Sequence, residues 1–110
     1  MPTGQEILIM ATYKMDDGTV VKTENAKESY PELQRHDGRN YISVNTGSQW
    51  DHQKLHESRK GRYWLECWSD WQGSTPHAEW ISEHEATKWL ILNDKELPES
   101  LAHLQNEVEE

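Results

Sequence analysis

Phenylalanine is absent from this 110-residue sequence, cysteine occurs once, and Leu, Ile and Val together supply 18 residues, about 16% of the chain. Basic residues are also scarce: 11 Lys and Arg face 20 Asp and Glu, giving a net charge of −9 with six histidines neutral. Each shortage excludes something. A lone Cys67 closes no intrachain disulfide, so the chain is not a disulfide scaffold. No apolar stretch approaches the roughly 20 residues of a membrane-spanning helix, and no heptad pattern is sustained long enough for a coiled-coil rod. The acid excess argues against a conventional basic nucleic-acid binder. The aliphatic fraction lies below the roughly 20% that marks disorder in charged chains.

Six Trp and four Tyr reverse that last warning. Each buried aromatic removes about 150–250 Å² from water, so ten of them replace many missing aliphatics. A chain of this length is one domain's worth, here residues 1–110, and can bury roughly 65% of its unfolded surface. The expectation is a folded domain with an aromatic core. Met1 is followed by no basic-then-apolar leader, and with a single cysteine the expected setting is reducing and cytoplasmic. Cys67 has no His or Asn pattern around it that would make it a nucleophile, and reads as a small apolar filler in a strand.

Residues 6–71 read as mainly β. The run Ile7 to Tyr13, the turn signal Asp16-Asp17-Gly18 and the return Thr19 to Thr23 predict an amino-terminal hairpin. Residues 25–40, with Pro31 and Gly38, read as a loop holding a short helical turn around Glu32-Leu33-Gln34; Tyr41 to Asn45 reads as a short strand. Gln49 to Ser58 and Arg62 to Trp71 form a second predicted hairpin around Arg59-Lys60-Gly61. In its second strand, alternation puts Tyr63, Leu65, Cys67, Ser69 and Trp71 on a core face, with Arg62, Trp64, Glu66, Trp68 and Asp70 on the other. That other face is either a contact surface, since aromatics stand among carboxylates on it, or a second core face covered by a helix or by the amino-terminal segment.

Residues 82–109 read as two acidic helices. Gln72 to Pro76 is a loop, and Ser82 with Glu85 forms an S-x-x-E capping box opening a helix that runs to about Asn93. Pro98 opens a second helix whose Leu97, Leu101, Leu104 and Val108 form a seam that either docks on the first helix and the sheet or pairs with a copy of itself in a homodimer. The fold class expected is therefore α+β: an antiparallel sheet of four or five strands followed by two C-terminal helices packed on one face.

Few residues carry recognisable chemistry. Asp51, His52, His56 and Glu57 are a candidate metal or small-enzyme centre, because two imidazoles and a carboxylate can hold a transition metal; His52 and His56 are its weak candidate ligands. His84-Glu85 lacks the second histidine of a zincin helix, since position 88 is Lys. Phosphate-loop, dinucleotide and nucleophile-elbow motifs are absent. Lys54, Arg59, Lys60 and Arg62 cluster around one predicted turn, but a chain at −9 repels a polyanion at long range. No catalytic residue and no cofactor is expected.

Charge location says more than its total. Residues 79–110 hold nine acids and two bases, so −7 of the −9 lies there. A basic, nucleic-acid-handling protein would be steered to such a surface, with carboxylates standing in for phosphates and tryptophans supplying a buried anchor. The functional expectation is a small, non-enzymatic binding protein, an inhibitor by charge mimicry, with Trp64, Glu66, Trp68, Asp70, Glu99, Glu107 and Glu109 as the partner-binding set. Anti-CRISPR and anti-restriction proteins work on this logic, an analogy of size and charge alone. The expected partner is a basic protein, with no direct nucleic-acid contact and no membrane.

Overall fold

The computed structural model describes residues 11–108. Among the described residues eight short strands, with a 3-10 turn at Thr23–Asn25 between the second and third, precede three α-helices: β1 (Thr12–Lys14), β2 (Val20–Lys22), β3 (Glu28–Pro31), β4 (Gln34–His36), β5 (Tyr41–Ser43), β6 (Asp51–Glu57), β7 (Tyr63–Ser69), β8 (His77–Ile81), α1 (Glu83–Leu92), α2 (Glu99–Ala102) and α3 (Gln105–Val108). The class is α+β with antiparallel pairing, but the strands divide among three sheets. A four-stranded sheet runs in the order β3-β6-β7-β8, and β1-β2 and β4-β5 are separate two-stranded ribbons. No helix among the described residues is long and apolar enough to cross a membrane.

The β1-β2 hairpin forms around Asp16-Asp17-Gly18, with Gly18 at φ 87° and the Thr19 N–H donating to Asp17 Oδ1 at 2.9 Å. Its expected earlier part, Ile7 to Met10, lies outside the described residues. The central hairpin, β6 with β7, forms around Arg59 to Gly61 as expected, closed by Ser58 N–H to the Arg62 carbonyl at 2.7 Å and Gly61 N–H to the Ser58 carbonyl at 2.9 Å. Gly61, at φ 82°, supplies the left-handed residue that the turn needs.

Two expectations are corrected. Glu28–Pro31 and Gln34–His36 form strands, joined by Glu32 and Leu33, rather than a loop with a helical turn. Pro31 fits because β3 is an edge strand, where a missing N–H costs no ladder bond. The turn expected at Glu32–Gln34 is overridden by long-range bonds: the Leu33 N–H donates to Asn93 Oδ1 at 2.8 Å, and its carbonyl accepts from the Val44 N–H at 3.1 Å. Residues 77–81, which lie outside the expected mainly β region 6–71, are a full strand paired with β7 through Tyr63↔Ile81, Trp64↔Trp80 and Leu65↔Glu79.

Helix α1 carries the expected capping box, with Ser82 Oγ accepting from the Glu85 N–H and Glu85 Oε1 accepting from the Ser82 N–H. Its end is a Schellman arrangement: Asp94 takes φ 55°, its N–H donates to the Ile91 carbonyl, and the Lys95 N–H donates to the Leu90 carbonyl at 2.9 Å. The buried Asn93 side chain stitches this end to the β4-β5 region through Leu33 and Asn45. The second expected helix breaks into α2 and α3, joined through i to i+3 bonds at Leu104 and Glu107. Short helical segments are held by packing more than by propagation, and Leu101 is the residue that packs deepest here.

Alternate residues of β6 and β7 build two different interiors. On one face Leu55, Tyr63 and Leu65 meet Ala86, Trp89, Leu90 and Leu101, with Tyr30, Cys67, Ile81, Leu97 and Leu104 packed at the margin. The helices therefore dock on one face of the sheet, as the sequence implies. On the other face Trp64 meets Tyr13, Met15 and Val21 of the β1-β2 hairpin, with Trp80 and Ala78 alongside.

Candidate functional site: an aromatic and acidic cleft

The second face holds two histidines, four residues apart on β6 and therefore on the same side of the strand. Each is fully engaged. His56 Nδ1 lies 2.7 Å from Ser29 Oγ, and its Nε2 lies 2.9 Å from Glu66 Oε1. Tyr13 donates its hydroxyl to Glu66 Oε2 at 2.6 Å. One assignment satisfies every group: Ser29 donates to Nδ1, Nε2–H donates to Glu66, and the carboxylate accepts twice. The His56 ring also stacks on Trp64 with centroids 4.2 Å apart. Burial, with the Glu66 hydrogen bond and charge, holds the Tyr13 hydroxyl far above the usual tyrosine range, so it stays a donor.

His52 sits between two carboxylates. Its Nδ1 is 2.7 Å from Glu32 Oε2 and its Nε2 is 2.9 Å from Asp70 Oδ2. Glu32 is saturated, since Oε1 also accepts from Ser43 Oγ at 2.7 Å and the Gln53 N–H at 2.9 Å, and Oε2 from Gln34 Nε2 at 3.0 Å. Burial pulls the His52 imidazole down, but the hydrogen bonds to Glu32 and Asp70 outweigh it and raise the ring above its usual value. This pair of bonds favours the imidazolium, which has a donor at each nitrogen.

His52 forms the floor of a cleft of about 540 Å³, walled by Glu32, Gln34, Tyr41, Lys54, Trp68 and Asp70. At the same end of the β6-β7 hairpin, Trp50 and Trp71 lie with ring centroids 4.9 Å apart, 40% and 59% exposed. Their backbones are fixed by one device used twice. In Ser48-Gln49-Trp50 and in Ser69-Asp70-Trp71 the serine Oγ accepts from the tryptophan N–H two residues on, at 2.9 and 3.2 Å. The Asp70 N–H to the Trp50 carbonyl, at 2.9 Å, ties the two segments together.

The residues singled out in the sequence fall in different places. Trp68 and Asp70 line the cleft. Trp64 and Glu66 are each 1% exposed, which takes them out of the contact surface, because the β1-β2 hairpin covers that part of the face. Glu99 and Glu107 are exposed on α2 and α3, which pack against the opposite face, so this acidic end is not continuous with the cleft; Glu109 lies outside the described residues. Leu101 is buried, Leu97 and Leu104 pack against the same interior, and Val108 is half-buried, so most of the seam faces inward.

Asp51, His52, His56 and Glu57 do not converge. Strand alternation turns Asp51 and Glu57 away from the histidines, and Glu57 meets Lys27 Nζ at 3.9 Å. Among the described residues no group of three or more His, Cys, Asp or Glu is arranged to hold a metal ion. Cys67 is half-buried, and burial, aided by Glu79 and Glu66, pushes its thiol up to about 11. Of the basic cluster, Lys54 lies in the cleft, whereas Arg59, Lys60 and Arg62 line a second concavity with Lys22.

Sequence reasoning missed Trp50 and placed Trp71 on the core face. The alternation that predicts burial stops at Ser69, where β7 ends, so Trp71 is no longer bound by it. The paired S-x-W segments flanking the hairpin were the available signal. Comparison of the chain with protein-family models, with curated proteins and with solved structures gives no match.

Proposed function

We propose that the protein is a non-enzymatic binding protein that engages a basic, nucleic-acid-handling protein and inhibits it by occupying its basic surface. The exposed Trp50–Trp71 pair carries this reading, because large aromatics held rigidly beside carboxylates are the usual anchor of a protein interface. Asp51 and Asp70 flank the pair in sequence and are exposed, so a partner's arginine can stack on an indole and pair with a carboxylate in one pose. The net charge of −9 adds long-range steering toward a basic partner. The acidic helical end, with Glu99 and Glu107, is separate from the Trp pair and supplies most of that charge, since residues 79–110 carry −7 of the −9.

The test is affinity purification from the native host with wild type and Trp71→Ala side by side, followed by mass spectrometry. A basic protein recovered by wild type, lost with Trp71→Ala and released as salt rises is the expected result. Equal recovery by both proteins, or indifference to salt, would sink the proposal.

A further inference from the structure

The concavity at the other end of the central hairpin has a chemistry opposite to the rest of the molecule. It encloses about 560 Å³ between β2 and the β6-β7 turn, within the range of small-molecule sites. Lys22, Arg59, Lys60 and Arg62 line it from two separate segments, together with Val20 and Trp80. Arg62 lies over the Trp80 ring at 3.6 Å from its centroid and reaches Asp17 at 3.7 Å. The other three cations form no ion pair with a carboxylate among the described residues, although the chain carries nine more acids than bases. A surplus of carboxylates makes unpaired cations easy to neutralise, and here three of them line one hollow.

We infer that this concavity binds a nucleotide: a planar ring bearing phosphates. Lys22, Arg59 and Lys60 supply ammonium and guanidinium donors for the phosphate oxygens. Arg62, over the Trp80 ring and with 51% of its side chain exposed, offers a guanidinium plane on which a base can stack. Val20, itself exposed, provides an apolar edge against the ring. The turn that presents Arg59 and Lys60 is closed by Ser58, whose Oγ accepts from the Arg62 N–H at 3.1 Å, so their backbone is set before ligand arrives. This site is at the opposite end of β6 and β7 from the Trp50–Trp71 pair and is independent of it.

The experiment is titration of the intact protein at low salt, followed by calorimetry and by tryptophan fluorescence, with ADP, inorganic pyrophosphate, adenosine and a short single-stranded oligonucleotide. ADP should saturate one site, pyrophosphate should compete more weakly, and adenosine should fail to saturate. The double variant Arg59→Ala/Lys60→Ala should weaken ADP binding about tenfold or more with its urea midpoint unchanged, since both side chains are exposed; Trp71→Ala should bind ADP as wild type does. Absence of saturable ADP binding to wild type would overturn the inference, as would undiminished binding by the double variant. Pyrophosphate binding as tightly as ADP would overturn the ring's role. An oligonucleotide binding more tightly than ADP would replace the nucleotide with a nucleic-acid strand.

Discussion

The two faces of the β6-β7 hairpin are built from alternate residues of the same strands, yet they are held by different physics. On the helical face Leu55, Leu65, Leu90 and Leu101 exclude water without directional bonds. On the hairpin face Tyr13, Ser29, His56 and Glu66 form a chain of hydrogen bonds beneath Trp64. An aliphatic interior is indifferent to small changes of shape at constant volume. A buried polar chain is not, because removing one acceptor strands its donors. The covering elements explain the division: a ten-residue helix with three further buried side chains on one side, and two three-residue strands on the other.

The sharpest way to break this comparison is a pair of near-isosteric changes at adjacent positions. Glu66→Gln puts an amide donor among two donors and should cost about 2 kcal/mol, whereas Leu65→Met should cost less than about 1.5 kcal/mol. Urea unfolding measures both, and equal costs would show that the faces do not differ in kind. A smaller effect is expected from pH. The folded-state His52 value is raised, so its stabilisation is fully present below the ordinary 6.5 and is lost as pH rises through the raised value. Wild type should lose stability over that window relative to His52→Gln, which does not titrate; parallel profiles would exclude a contribution from the Glu32–His52–Asp70 bonds. Ser82→Ala, on the helical side, should cost about 1 kcal/mol through loss of the capping box, with no change in pH profile. Least of all, Trp71→Ala should shift stability by no more than about 0.5 kcal/mol, because its ring is 59% exposed; a larger loss would make the Trp pair part of the fold.

Much of the architecture is legible from local rules. The capping box at Ser82, the turns at Gly18 and Gly61 and the alternation along β7 each depend on neighbours within a few residues, and each appears where expected. What was not legible depends on distant partners. Nothing near Glu32 announces that its carboxylate will be saturated by residues 43, 52 and 53, and that network makes the segment extended. Covering of Trp64 by the amino-terminal segment was one of the two readings that alternation left open, and contacts with Tyr13, Met15 and Val21, some 40 to 50 positions away, decide it. Of the candidate site, Trp68 and Asp70 were visible through strand alternation, but the cleft itself is assembled from residues of five strands, β3 to β7, whose placement in two different sheets no local periodicity encodes.

The doubled S-x-W segment gives the molecule an optical property of its own. Two indoles held 4.9 Å apart at 42° are close enough for their transitions to couple, so the far-ultraviolet circular dichroism should contain a signed aromatic couplet superimposed on the backbone spectrum. The part of that couplet lost in Trp71→Ala reports on the open end of the hairpin, separately from the Trp64–Trp80 cross-strand pair. A molecule that wedges between the rings would erase it without unfolding anything, so the protein carries a built-in, label-free signal for occupancy of its most exposed aromatic surface.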